Sequence, residues 1–256
     1  MAELPDQPAD NDIVNPWNVR EMILNTGCLS AKALKRWQQA LDLNYEIVNL
    51  QRRRGASAYD IAYTRFNNYT PLVRLDRLNE AEQVLRDCRK VFETVDDMTM
   101  LADVYTACAD LESRRGHLPE ALALQRTALR LHYVRPQPRS IAASHHNLAS
   151  YLLCVTGMSA EQRAHRLAAA LLNHLTSDTH DLAHVLRALG IELQGNTDTP
   201  GAPALPTTLP EVIGLVDAGD GVHFGDLVAT LCPDPDTANQ ALADLLATAA
   251  TLPEEP

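Results

Sequence analysis

The feature that most constrains the fold of this 256-residue chain is a sequence pattern that recurs along it at a nearly constant interval. The dipeptide Glu80-Ala81 recurs as Glu120-Ala121, and Cys108-Ala109 recurs after the same interval as Leu148-Ala149. Leu189-Gly190 follows the last of these in nearly the same phase. Self-similarity at a fixed period is typical of repeat proteins, in which each unit buries its apolar face against the next.

Each repeat is predicted to contain two helices. In the clearest one, Leu101, Tyr105 and Cys108 have the spacing of one helix face, which predicts a first helix over residues 99–115. Gly116 is expected to end it, because glycine accepts the left-handed conformation that follows a helix. Pro119 is expected at the start of the second helix, where its missing N–H costs nothing.

The same periodicity predicts the other helices, and the composition agrees with a helical chain. Leu occurs 38 times and Ala 35 times, whereas there are 11 glycines and 5% aromatic residues, which disfavours a β-sandwich or a dinucleotide-binding fold. The remaining repeat helices are predicted over residues 16–25, 31–53, 57–75, 78–94, 140–155 and 160–175.

One helix pair and the start of the next match a known repeat motif. The matching residues are Ala109, Gly116, Glu120, Ala121 and Ala128, followed by Asn147, Leu148, Ala149 and Gly157. Through these residues, the region 16–195 resembles the tetratricopeptide repeat (TPR) family, although its period is longer than that of the usual TPR unit. The resemblance implies an all-α fold, a right-handed superhelical solenoid of antiparallel helix pairs with a concave groove lined by the first helix of each pair.

The chain is predicted to have four parts. Residues 1–15 are expected to form a disordered tail, 16–195 the TPR-like array, 196–208 a Pro-rich linker, and 209–252 a small segment of three helices. In the last segment Asp236 is a candidate N-cap. The three helices are expected to cover the exposed apolar end of the array, because solenoids need capping.

The predicted groove is the candidate binding site. Asn67 and Asn147 occupy equivalent positions, and the resemblance implies that an asparagine there holds the backbone of a ligand. Asp103 and Asp110 favour a partner that is basic, or at least not acidic. The candidate groove residues are Tyr63, Phe66, Asn67, Thr70, Asp103, Thr106, Asp110, Ser113, His146, Asn147, Ser150, His184 and Arg187.

These observations predict a protein–protein interaction module without catalytic residues, cofactor or metal, acting as an adaptor, scaffold or regulatory sensor that binds a peptide or helix. The array also resembles the repeat regions of bacterial signalling proteins of the STAND type, where such regions sense ligands. A net charge of −11 opposes binding to nucleic acid or to an anionic membrane. Five scattered cysteines without a C-x-x-C motif indicate a reducing, cytoplasmic compartment.

Three alternatives stay open at this level. The first is a metal-dependent or small-molecule-binding enzyme that uses His174, His180 and His184, since His180 and His184 are spaced to share one helix face. The second is a transcription-linked regulator, which the acidic charge and the lack of a basic helix-turn-helix oppose. In the third, the groove residues are solvated polar side chains without a ligand.

Overall fold

The computed structural model describes residues 16–157, 159–196 and 205–252, and these residues form helices and no strands. The all-helical prediction is confirmed for this part of the chain. The helices divide into two compact units, Met1–Leu111 and Glu112–Pro256. The predicted tail at residues 1–15, and residues 197–204 of the predicted linker, lie outside the described residues.

The first unit is built from helices joined by short turns, and α1 to α5 each pack on a neighbouring helix. α2 packs on α1, α3 packs on α2 and α5, and α4 packs on α5. Fully buried Leu41, Leu72, Leu85 and Phe92 form part of its core. The helices are α1 (Pro16–Ala33), α2 (Trp37–Arg53), α3 (Ala58–Phe66), α4 (Tyr69–Arg74), α5 (Leu78–Thr94) and α6 (Met98–Arg114), whose last residues belong to the second unit.

The turns between helices repeat with the period of the sequence. Lys35, Asp76, Gly116 and Gly157 each have a positive φ, and they follow one another at nearly equal intervals along the chain. At the first three, the next residue donates its backbone N–H across the turn to a carbonyl of the last helical turn, for example Arg36 to Ala31 at 2.8 Å. This pairing satisfies carbonyls that a helix end leaves free. The repeat period is therefore a property of the backbone as well as of the sequence.

The boundary between the first two helices differs from the prediction. Helices were expected over residues 16–25 and 31–53, whereas α1 continues through Gly27 to Ala33 and the turn lies just before Trp37. A Cβ at Gly27 would lie 3.4 Å from Leu43 Cδ1 of α2, which is van der Waals contact. Gly27 therefore sits inside the helix at a close approach to α2 and does not end the helix.

The helix predicted over residues 57–75 is divided into α3 and α4. Pro71 lacks an N–H, so it cannot bond to the carbonyl of Asn67 four residues earlier, and its ring crowds that carbonyl. The helical hydrogen bonding is therefore interrupted at Asn67 and Asn68 and resumes with Leu72 N–H to Asn68 O at 3.0 Å.

The second unit is organised around one buried helix. All residues from 162 to 173 of α9 are buried, and α9 packs against α8, α10, α11, α12 and α13. An all-round buried helix is the central element of a core rather than one member of a surface layer. The helices are α7 (Leu118–Val134), α8 (Pro138–Thr156), α9 (Ala160–Leu175), α10 (Thr179–Asn196), α11 (Leu209–Asp220), α12 (Phe224–Leu231) and α13 (Pro235–Ala250).

The last three helices share a core with the helices before them. Val212, Phe224 and Leu242 join the same buried cluster as Leu148 and Leu171. The N-cap of the last helix is Asp234, which accepts from the backbone N–H groups of residues 236 and 237, and not the predicted Asp236. No helix within the described residues is long and apolar enough to traverse a lipid bilayer.

Candidate functional site

A cleft of about 460 Å³ opens in the first unit between α1 and α3, with α2 as its floor. Two of the predicted groove residues, Tyr63 and Asn67, lie in it. In the sequence-based prediction, α1 and α3 correspond to the first helices of the first two pairs. Its lining residues are Glu21, Met22, Asn25, Asn44, Ile47, Gln51, Tyr63, Thr64 and Asn67.

The floor of the cleft is a buried network of amides. Asn44 Nδ2 donates to Thr64 O at 2.8 Å and to Asn68 Oδ1 at 2.6 Å, and Gln51 Nε2 donates to Thr64 Oγ1 at 2.9 Å. Gln51 is 6% exposed, yet its Oε1 accepts no hydrogen bond. A buried acceptor without a donor costs free energy.

The rim of the cleft combines apolar and polar groups. Met22 is 69% exposed and Tyr63 is 52% exposed, while Asn67 is exposed and its Nδ2 lies 3.5 Å from Tyr63 O. The one carboxylate of the lining, Glu21, is paired with Arg54 at 2.7 Å. The cleft therefore presents amides and apolar surface, with its acid already neutralised.

The other predicted groove residues of the first unit lie outside this cleft. Phe66 is half-buried and Thr70 is exposed. On α6, the half-buried Asp110 accepts a hydrogen bond from Tyr69 Oη, and Asp103 and Thr106 are half-buried. Burial, followed by the nearby charge of Asp97, raises the pKa of Asp103 to about 6.

In the second unit, predicted groove residues are bonded to an arginine that the sequence did not single out. Arg166 of α9 is 2% exposed, and its Nη1 lies 2.7 Å from His146 Nδ1 and donates to His146 O at 3.1 Å. Both Nη atoms donate to Ser150 Oγ, at 3.3 and 3.2 Å. Because a guanidinium only donates, His146 Nδ1 is the acceptor, and burial, Arg166 and His184 together lower the pKa of His146 to about 3.

Arg166 is held on its other side by a buried carboxylate. Its Nε donates to Glu192 Oε1 of α10 at 2.9 Å, and Glu192 is 4% exposed. Arg166 thus ties α8 to α10 through α9, and His146 and Ser150 are part of that connection. A signal exists in the sequence: Arg163, His165 and Arg166 stand in a helix that is otherwise rich in Ala and Leu.

The remaining residues of the second unit that were predicted to line the groove are half-buried or exposed. The rings of His146 and His184 are 4.9 Å apart. Ser113 and Asn147 are half-buried, while His184 and Arg187 are exposed.

A second polar cluster lies on another face of α9. His165 and Asp220 have side chains of 0% exposure and approach to 2.9 Å, and Glu161 lies beside them. Within the described part of the chain, Glu161, His165 and Asp220 form a group of three in which one possible ligand atom from each lies within 4.8 Å of the others. The histidines His174, His180 and His184, considered for a metal enzyme from the sequence, are not in this group and are exposed.

No protein-family model matches the chain, and no curated protein matches it.

Proposed function

We propose that the chain is a non-catalytic interaction module that binds an extended peptide in the cleft between α1 and α3. The observation that carries this proposal is the cleft itself, with exposed Tyr63 and Asn67 above a floor of buried amides. Amide side chains can donate to and accept from the backbone of an extended peptide, and they do so without regard to its sequence.

Selectivity would come from the apolar part of the cleft. Met22, Ile47 and Tyr63 lie among the amides and offer contact to one apolar or aromatic side chain of the ligand. Since Glu21 is already paired with Arg54, the cleft has little net charge, and we expect binding to depend only weakly on salt. This differs from the basic partner that Asp103 and Asp110 suggest in the sequence, because neither of these residues lines the cleft.

We further propose that the first unit is a TPR-like array of helix pairs. The recurring left-handed turns and the position of the cleft between successive first helices support this. Within the array the ligand contacts lie on α1 and α3. His146 and Ser150, which the sequence places in the same groove, serve instead to hold Arg166.

The test is selection of peptides from a random display library on the full chain, followed by affinity measurement for the peptides obtained. Asn67→Ala removes the amide and Tyr63→Ala removes the aromatic rim, and we expect each to weaken binding about tenfold, the effect of roughly 1.4 kcal/mol. Asn79→Ala is the matched control, because Asn79 is an exposed asparagine at the start of α5, outside the cleft.

Peptides that bind Asn67→Ala and Tyr63→Ala as tightly as the unsubstituted chain would contradict the proposal. So would binding that is lost equally in Asn79→Ala. Repeating the measurement at high salt separates an amide cleft from a charged surface, since a charged surface loses affinity steeply as salt rises.

A further inference from the structure

Three side chains that commonly bind metals converge where the first turn of α9 meets the last turn of α11. Glu161 and His165 are four residues apart and share one face of α9, and Asp220 is the last residue of α11. One ligand atom from each lies within 4.8 Å of the others. His165 and Asp220 are fully buried, while the Glu161 side chain is 33% exposed and forms the edge of the cluster.

The contact between His165 and Asp220 is close but is not a hydrogen bond. Nε2 and Oδ2 are 2.9 Å apart, yet neither this nitrogen nor either carboxylate oxygen of Asp220 has a hydrogen-bond partner. A buried carboxylate without a hydrogen bond is costly. Two ligand atoms bound to one tetrahedral ion at about 2.1 Å are themselves about 3.4 Å apart, a little more than this contact, and their lone pairs point at the ion rather than at each other.

The far side of His165 can fix the form of the ring that such a site needs. His165 Nδ1 lies 2.9 Å from His145 Nδ1, and His145 Nε2 lies 3.0 Å from Tyr133 Oη. If His165 donates from Nδ1 to His145, and His145 donates from Nε2 to Tyr133, the lone pair of His165 Nε2 faces Asp220. An outer hydrogen bond of this kind orients the histidine ligands of metal sites.

The local charge favours a cation. The cluster contains two carboxylates, Glu161 and Asp220, and one guanidinium, that of Arg126. Arg126 donates a hydrogen bond to Glu161, and its Nε lies 3.3 Å from Asp220 Oδ1. Arg126 Nε is itself without a hydrogen-bond partner, so Arg126 does not satisfy Asp220. Asp220 also stands at the C-terminal end of α11, where the helix dipole attracts positive charge.

We propose that Glu161, His165 and Asp220 bind one divalent transition-metal ion of the zinc class, which joins α9 to α11. Imidazole and carboxylate are both ligands that Zn²⁺ accepts, and one imidazole with two carboxylates is too poor in oxygen for Ca²⁺. The ion fastens the C-terminal helices to the central helix of the second unit, and this role is independent of peptide binding in the first unit.

The test uses the full chain, stripped with a chelator and titrated with Zn²⁺ in competition with a chromogenic chelator. We expect one Zn²⁺ per chain, a higher melting temperature on binding, and d–d absorption bands when Co²⁺ replaces Zn²⁺. Asp220→Asn should weaken binding about 100-fold and Glu161→Gln about 10-fold, since the loss of a ligand costs at least as much as the loss of an outer-shell partner. Glu161 is part-exposed, so Glu161→Gln keeps the test valid even if Asp220→Asn fails to fold.

The double variant His180→Asn/His184→Asn is the matched control and should bind Zn²⁺ unchanged, because both histidines are exposed and lie outside the cluster. Loss of binding in this variant, with binding kept in Glu161→Gln, would assign the ion to the other histidines and overturn the proposal. Absence of stoichiometric binding would also overturn it and leave Arg126 as the counter-ion of Asp220. Equal affinity for Mg²⁺ or Ca²⁺ would contradict the zinc class.

Discussion

At the scale of single residues, burial decides what a polar side chain can do. Asn67 and Ser150 both lie on stripes that the sequence predicts to face a groove. Asn67 is exposed at an open cleft, whereas Ser150 Oγ accepts two hydrogen bonds from the buried Arg166. Residues with the same pattern in the sequence therefore have different surroundings, an open cleft in one unit and an internal connection in the other.

Asp103 gives a prediction at this scale. Burial raises its pKa from 3.8 to about 6, so the charged form is disfavoured in the folded state. The folded state thus binds more protons than the unfolded state between about pH 4 and 6, and stability falls as pH rises through this window. Asp103→Asn should raise the free energy of unfolding at pH 7 by about 1 kcal/mol, allowing for the solvent screening of a half-buried group.

Urea unfolding at pH 4 and pH 7, for the unsubstituted chain and for Asp103→Asn, measures this effect. The substitution should raise the free energy of unfolding at pH 7 and change it little at pH 4, where the carboxyl is already protonated. Asp76→Asn, at an exposed turn, is the control. A loss of stability at pH 7 in Asp103→Asn would show that the carboxylate is held by favourable contacts.

At the scale of helices, the repeat is seen in the positive-φ residues at the turns between helices. Glycine occupies the left-handed position at residue 116, but Lys35, Asp76, Asp96 and Ser177 hold the same conformation without it. The helix periodicity located the turns at Asp76, Asp96 and Ser177 without a glycine, and only the turn at Lys35 was misplaced. The predicted helix over residues 16–25 is too short. In the structure the helix continues through Gly27, which packs against Leu43.

Glycines in helices of the second unit give a prediction at this scale. A Cβ at Gly190 would lie 2.8 Å from the carbonyl oxygen of Ala249, so Gly190→Ala must push α13 away from α10 and should cost about 2 kcal/mol. Gly214 is helical too, but a Cβ there meets nothing within 4 Å. Gly214→Ala should therefore stabilise by about 0.5–1 kcal/mol, because alanine is the better helix former.

Thermal or urea unfolding of the two variants side by side measures the difference, with opposite signs expected. Equal stability of Gly190→Ala and Gly214→Ala would contradict the close contact between Gly190 of α10 and Ala249 of α13.

At the scale of the whole molecule, acid stability depends on the buried histidines of the second unit. Burial lowers the pKa of His132 to about 4, and the pKa of His145 is lowered well below its usual value by burial and by His165. Below about pH 6.5 the unfolded state takes up protons that the folded state does not, so stability falls as pH drops toward 4. This sign is opposite to that of Asp103.

His132→Gln should make the acid-induced loss of stability shallower, by about 2 kcal/mol between pH 6.5 and 4. Equilibrium unfolding followed by far-ultraviolet circular dichroism at several pH values measures it. His174→Gln, at an exposed histidine, should leave the slope unchanged. An unchanged slope in His132→Gln would exclude this residue as a source of acid sensitivity.

The sequence by itself determined the local structure. Apolar residues at helical spacing predicted the helical class, and several helices were located to within a residue or two; α5 and α9 have the predicted bounds. The repeat period also follows from the sequence, because helix faces and helix ends are set by neighbours within a few positions along the chain. Pro71 also acts on residues a few positions away, because it divides the helix predicted over residues 57–75, although this division was not predicted.

Only the tertiary structure decided which polar residues are accessible and which are grouped. Arg166 meets Glu192 and His146, and His165 meets Asp220, because these helices pack on α9. Such contacts join residues far apart in the chain, and no local spacing encodes them. The packing that joins His146 to Arg166 and brings Glu161, His165 and Asp220 together exists only once the helices are assembled.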